Sequence, residues 1–298
     1  MKKSFTLLEV IFVLIILGIL ASLGSEVIAK IYENYLLSRS VSTTSYKLDV
    51  AMMQIAKRYS QRVKGTAIAK AGSVTISLMT QVANGANFNH IEWFGRAFEA
   101  RRGEWNGTYY QPGWSGLADL NTSTKSVLVT PGSNLSAASH IIEAVYGYDL
   151  NSTNTAQNGC AVVFFNTYSG SLLSALGWDG STPNAVYTVY RVSDTKLGFL
   201  DTSIKKASDI YDLTCSAYAI DHNVSAKTLT LYYNYRPWLG ENYTNGKKVL
   251  LLDNVTTFQM RKLNIKVAND PGALEIRICS EDNTTGTPVE FCGKKVIF

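Results

Sequence analysis

The chain has 298 residues, 17% of them charged, and a formal net charge of +5. Its length exceeds one average domain and suits a helix plus one large or two modest globular lobes. The small net charge gives no case for nucleic-acid binding, and three scattered histidines (His90, His140, His222) with no Cys-x-x-Cys give none for a metal site.

The chain opens with Lys2 and Lys3, then Ser4. Phe5-Thr6-Leu7-Leu8-Glu9-Val10 begins an apolar run that reaches Gly24, interrupted by one carboxylate, Glu9. Placing such a charge in hydrocarbon costs about 2.5–3.5 kcal/mol even on the lenient insertion scale, so Glu9 needs a partner. An ordinary signal peptide cut before Ser25, with Ser22 and Gly24 as its small residues, leaves Glu9 unexplained. A plain anchor reaches the ~20 residues of a spanning helix only when counted from Phe5, again with Glu9 inside. Gly18 and Ser22 form a small-xxx-small pair that lets helices approach closely.

The basic leader, the small residue, Phe5, the Thr6-Leu7 pair and the isolated Glu9 together resemble the class III signal of type IV prepilins and type II secretion pseudopilins. The resemblance implies a leader of residues 1–4, cut by a prepilin peptidase between Ser4 and Phe5, and N-methylation of Phe5. Ser4 stands where the family usually has Gly, which bears on how efficiently the chain is cut. Loss of Lys2 and Lys3 would take the net charge from +5 to +3. The implied role of Glu9 is assembly. Cutting the leader creates an α-amine on an apolar helix, and a carboxylate one turn along can compensate a neighbour's amine when a subunit leaves the membrane. The implied partners are other pilin or pseudopilin subunits, the prepilin peptidase and an inner-membrane assembly platform. The implied location is the inner membrane, single-pass, with the globular part in the periplasm or in an extracellular filament.

Helical spacing continues past the apolar run. Val27, Ile31 and Tyr35 recur at helical intervals, as do Leu48, Met52, Ile55 and Tyr59. Lys57, Arg58, Arg62 and Lys64 gather where cations favour a helix C-terminus, and Gly65 is a suitable terminator. A helix over 5–64 would be about 90 Å long. Its first half would lie in lipid or a filament core and its second half would support the domain. Ser40 to Ser45 is the weakest stretch and the place for a local break.

From Gly65 onward short apolar runs alternate with Gly, Asn, Asp and Ser clusters. Strands are expected over 73–79, 126–130, 160–166, 185–192, 228–235, 248–252, 257–263 and 273–279, with a short helix from about Ser136 through His140 to Val145. The fold class is α+β: a long N-terminal helix followed by an antiparallel sheet-rich domain over 65–298. A division into two lobes near 205–212 is compatible with this texture. The order of a leucine-rich strand (Lys248 to Leu252), Asn254-Val255, a Phe258-containing strand and the strand Leu274 to Ile278 is similar to larger minor pseudopilins of the J type and W-type minor pilins.

An even set of cysteines (Cys160, Cys215, Cys279, Cys292) behind an export signal reads as two disulfides. Three connectivities exist, and the turn-rich segment between Cys279 and Cys292 favours that local pair, which leaves Cys160 with Cys215. Trp93, Arg96, Arg101, Arg102, Trp105 and Trp114 concentrate in the segment from His90 to Gly116. Aromatic and Arg enrichment marks recognition surfaces, although aromatics at helical spacing ordinarily pack a core. Asn121, Asn151, Asn223 and Asn283 each begin an Asn-x-Ser/Thr triplet with an acid two residues earlier, similar to the acceptor of some bacterial N-glycosylation systems. No Gly-x-Ser-x-Gly, His-Glu-x-x-His or phosphate-binding loop is present, so neither catalysis nor a cofactor is expected. The expected role is a minor pilin or pseudopilin, with a membrane-anchored adhesin or binding module as the alternative.

Overall fold

The computed structural model describes residues 6–71, 75–83, 85–165, 170–200, 207–263, 273–283 and 288–297. In chain order these form α1 (Leu7–Ser60), β1 (Ile68–Ala71), β2 (Thr75–Leu78), β3 (Asn87–Phe88), β4 (His90–Arg96), α2 (Phe98–Arg101), β5 (Glu104–Trp105) and β6 (Tyr110–Gln111). They continue with β7 (Val127–Val129), α3 (Leu135–Tyr146), β8 (Ala161–Val163), α4 (Leu172–Leu176), β9 (Val186–Ser193), β10 (Lys196–Phe199) and β11 (Asp212–Asn223). The last strands are β12 (Thr228–Tyr235), β13 (Lys247–Leu252), β14 (Val255–Lys262), β15 (Leu274–Asp282) and β16 (Val289–Ile297).

The architecture is α+β, with every named strand pair antiparallel. A large sheet runs β2-β1-β4-β11-β8-β9-β10-β7, with β12 on β11 and β13 on β12. A smaller sheet runs β16-β15-β14-β3, and β5 and β6 form a separate hairpin. The large sheet takes strands from both sides of 205–212, of which 201–206 lie outside the described residues.

α1 has 54 residues, which makes it about 81 Å long. It runs through Ser40 to Ser45 without a break and ends at Ser60, a little before Gly65. The hydroxyls of this stretch have a partner in the domain: Ser40 Oγ donates to Asp282 Oδ2 at 2.5 Å, and Thr44 Oγ1 donates to the same atom at 3.5 Å. The buried residues Ser40, Thr44, Leu48, Ala51, Met52, Ile55 and Tyr59 lie along one helical face.

Three apolar clusters follow from this layout. The first lies between the lower half of α1 and the two sheets, and includes Ile55, Tyr59, Trp93, Ile220, Met260 and Ile278. The second lies under α3 and includes Trp114, Leu135, Ile142, Val162, Leu197 and Leu213. The third covers the other face of β4 and β11, with Phe94, Trp178, Tyr235 and Trp238. Strand alternation sends Ile91 and Trp93 to the first cluster and Phe94 to the third, so β4 is covered on both faces.

Two glycines permit close approaches. A Cβ on Gly95 would lie 2.2 Å from Tyr218 Cε2, because that ring packs directly on β4. A Cβ on Gly293 would lie 2.5 Å from Met52 Cε, where α1 crosses β16.

Candidate functional site: an uncovered helix and its seat

The N-terminal half of α1 carries no tertiary cover. Its large apolar side chains from Leu7 to Ile31 are all exposed, including Val27 and Ile31 on the expected face. The segment is long and apolar enough to cross a membrane. An apolar surface of this extent must be covered by lipid or by other helices, since soluble monomers expose only small patches. A Cβ at Gly18 or Gly24 would meet nothing within 4 Å, so both glycines lie open on the free helix.

The first turn shows what holds Glu9. Thr6 is the N-cap: its side chain accepts the Glu9 N–H at 3.4 Å, and the Glu9 carboxylate accepts the Thr6 N–H at 3.4 Å. This reciprocal capping box satisfies two helix-end donors and places a carboxylate at the positive end of the helix dipole. Glu9 remains exposed, available to a charge on another molecule. Ser4 and Phe5 lie outside the described residues.

α1 enters the domain beside β15. Leu36, Arg39, Ser40, Lys47, Asp253 and Asp282 line a groove of about 440 Å³ at this junction. Lys47 Nζ lies 3.6 Å from Asp253 Oδ1 across it, both half-exposed, so the pair contributes little to stability. Below the groove the helix is seated by apolar contact and by the Tyr59–Trp93 edge-to-face pair, with centroids 5.3 Å apart.

The aromatic and arginine segment divides in two. Trp93 is fully buried, stacked on Tyr218 with centroids 6.0 Å apart. Trp114 is buried in the second cluster and donates Nε1–H to Ala97 O at 2.8 Å. Arg96 is mostly covered and pairs with Asp212 at 2.7 Å. These three therefore do not contribute to a recognition surface: β4 is an interior strand, and its aromatics fill the core. Phe98 begins the short helix α2, while Trp93 and Phe94 belong to β4. The exposed remainder is Phe98, Arg101, Arg102, Trp105, Tyr109 and Tyr110, on α2 and the β5–β6 hairpin.

A buried polar network, not apparent from composition, crosses four strands. His90 Nδ1 lies 2.9 Å from Asp221 Oδ1, and His90 Nε2 lies 3.1 Å from Glu92 Oε1. Lys70 also pairs with Glu92 Oε1, and Tyr235 donates its hydroxyl to Glu92 Oε2 at 2.6 Å. The Tyr243 ring lies over His90, with centroids 4.8 Å apart. Burial alone would lower the His90 pKa, but hydrogen bonds to Asp221 and Glu92 outweigh it and raise the value above 6.5. Burial would raise that of Glu92, but His90 and Lys70 hold it below 4.5. The network ties β1, β4, β11 and β12 together. The alternating pair His90-x-Glu92 is its one sequence signal, once a strand is placed there.

Two disulfides close the domain. Cys160–Cys215 joins the segment before β8 to β11, within the second cluster. Cys279–Cys292 joins directly paired positions of β15 and β16. Glu290 lies near the latter pair, but both sulfurs are committed to the bond and offer no thiolate to a metal. Asp149, at the head of the oxygen-rich Asp149-x-Asn151-x-Thr153 run, accepts the Asn151 N–H at 2.9 Å and its Nδ2–H at 3.0 Å. No family model, curated protein or solved structure matches the chain.

Proposed function

We propose that the chain is a minor pilin or pseudopilin, a structural subunit that enters or caps a type IV pilus or a type II secretion pseudopilus. The observation that carries this reading is the pairing of a completely uncovered apolar half-helix with a single exposed carboxylate in its first turn. A signal peptide has no need of the rigid continuation into a docked, buried half. A simple anchor has no need of Glu9. A subunit that moves from lipid into a helix bundle needs both: lipid and neighbouring helices cover the same apolar surface, and Glu9 compensates a neighbour's Phe5 amine. The broad domain beside α1 would crowd a close-packed shaft, which favours a place at or near a tip. Assembly is the mechanism, with other pilin subunits, a prepilin peptidase and an inner-membrane platform as partners.

The test is the mass of the N-terminal peptide from membranes with and without the peptidase, followed by Glu9→Gln. A chain that starts at N-methylated Phe5, with Glu9→Gln processed but absent from filaments, is the expected result. A chain that starts at Met1 in both samples, or at Ser25, would overturn the reading. The exposed Trp105, Tyr109 and Tyr110 favour a second reading, an anchored binding module. Replacing these three by Ser separates the two: loss of ligand binding with filament entry intact supports the module, and loss of filament entry supports a subunit contact.

A further inference from the structure

Asparagine followed by any residue and then Ser or Thr occurs eight times. In five cases an acid stands two residues before the asparagine: Glu104–Asn106, Asp119–Asn121, Asp149–Asn151, Asp221–Asn223 and Glu281–Asn283. Asn134, Asn242 and Asn254 lack it, and none of the other twelve asparagines has an acid there. Asp and Glu make up 23 of 298 residues, so chance would put an acid ahead of fewer than one of the eight. An excess of Asn, Ser and Thr does not produce this coupling, because the acid appears only where the hydroxyl also appears.

A shared turn motif does not account for it either. Asp119 and Asp149 accept the N–H of their own asparagine, as turn-forming residues do. Glu104 instead accepts from Asn134 Nδ2, and Asp221 is held by His90. The common property is the triad of acid, carboxamide and hydroxyl, and all five asparagines are exposed.

We propose that Asn106 and Asn121 are N-glycosylated by an oligosaccharyl transferase that reads a carboxylate two residues before the acceptor and a hydroxyl two residues after. The donor class is an oligosaccharide on a lipid diphosphate. The Asn Nδ2 attacks the anomeric carbon. A C–N bond forms as the bond from that carbon to the diphosphate oxygen breaks. The electron pair leaves with the lipid diphosphate, and one amide proton passes to a base.

The structure separates the five sites by what each would have to give up. Asn106 sits in the turn of the β5–β6 hairpin, where its Oδ1 accepts the N–H groups of Thr108 at 3.0 Å and Tyr109 at 2.9 Å. That fixes the carboxamide with Nδ2 turned away from the backbone. Gly107, at φ +98 with open space around it, permits the turn. Asn121 lies in the exposed turn after Asp119, whose carboxylate accepts the Asn121 N–H at 3.0 Å and the Thr122 hydroxyl at 2.7 Å within that turn. Asn151 is committed: Nδ2 donates to Ser139 and Asp149, and Oδ1 accepts from Arg191. Asn223 ends β11, and its acid is locked to His90 between β4 and β12, so presenting it would open the large sheet. Asn283 is followed by 284–287, outside the described residues, and carries no assignment.

The inference rests on export of the domain. Its test is intact mass and glycopeptide mass spectrometry of the full chain purified from the membranes of cells that express it naturally. Glycans on the peptides of Asn106 and Asn121, with Asn151 and Asn223 bare, are the expected result. Asn106→Gln and Asn121→Gln should each remove one glycan. Glu104→Ala and Asp119→Ala should each lower occupancy about tenfold or more at their own site only, the equivalent of one charge-assisted hydrogen bond. Full occupancy after loss of the acid overturns the proposal, as does equal occupancy at Asn151 and Asn223. A bare chain with both disulfides formed overturns the glycan inference alone, and a bare chain with free thiols overturns export and the inference together.

Discussion

Replacing Glu92 by Ala should destabilise the domain more than any other single polar change in its core. The carboxylate is almost fully buried and shared by Lys70, His90 and Tyr235. Its removal leaves the fully buried Tyr235 hydroxyl without its acceptor and two basic groups facing each other. Breaking a buried pair by removing one partner costs about 3–5 kcal/mol. The lower end applies here, because Lys70 retains a quarter of its side-chain surface in water and His90 keeps Asp221. At about 2–4 °C per kcal/mol for a domain of this size, a loss of ~3 kcal/mol lowers the unfolding midpoint by ~6–12 °C. The assay is thermal unfolding of the detergent-solubilised full chain followed by Trp fluorescence, since Trp93 and Trp178 flank this region and helix content in detergent does not report on the domain. Tyr235→Phe should cost less, and the double variant should cost less than the two singles combined, because both remove the same bond. A shift of Glu92→Ala below ~2 °C, or additive effects with Tyr235→Phe, would refute the idea that the network stabilises the sheet.

Three further outcomes follow from the same geometry. The raised His90 pKa adds stability that is complete below 6.5 and fades as pH rises through the folded value, whereas the lowered Glu92 pKa adds stability that fades as pH falls below 4.5. Among Lys70, Glu92, Asp221, Tyr235 and Tyr243, which face His90, Glu92 and Asp221 favour its charged form. The unfolding midpoint should therefore peak between those values, and His90→Gln should flatten the alkaline limb and also weaken the acid limb, where Lys70 is left to hold the Glu92 carboxylate. In the loop-entropy model the 55-residue separation of Cys160–Cys215 is worth about 4 kcal/mol and the 13-residue separation of Cys279–Cys292 about 3 kcal/mol, so Cys215→Ala should unfold at lower denaturant than Cys292→Ala. Gly95→Ala forces the Tyr218 ring off β4 and should cost about 1–3 kcal/mol in denaturant unfolding, whereas Gly18→Ala meets no atom and should leave domain stability unchanged while reducing filament entry in a pull-down of assembled subunits.

The long helix is legible in the sequence because its two halves carry the same 3.6-residue spacing in different environments. The spacing of Leu48, Met52, Ile55 and Tyr59 alone marks the seated face, and β12 falls on its expected residues. The strands that the pattern does not show are hidden for two physical reasons. β4 and β11 are covered on both faces, so neither alternates, and Thr214, Ser216 and the alanines of β11 read as loop although they are buried. β16 is hidden by Gly293-Lys294-Lys295, which looks like a turn although α1 lies over Gly293. The Ser and Thr residues near Ser40 argue for a break because sequence alone does not reveal Asp282 opposite them. On the site, Glu9 is evident from its isolation in an apolar run. The division of the aromatics into buried Trp93 and Trp114 and exposed Trp105 needs the sheet order, because it depends on which strand has two neighbours.

An unbroken helix from Leu7 to Ser60 also works as a rigid shaft with a fixed angular setting. Each residue advances it by about 1.5 Å and turns it by about 100°. Because no break separates the free half from the seated half, whatever grips the apolar end also sets the heading of the domain about the shaft. One residue inserted between Ser25 and Leu36 would leave every contact in the domain intact, yet would swing it by about a quarter turn relative to Glu9. The length of this free segment is therefore under geometric constraint even though none of its side chains touches the domain it aims.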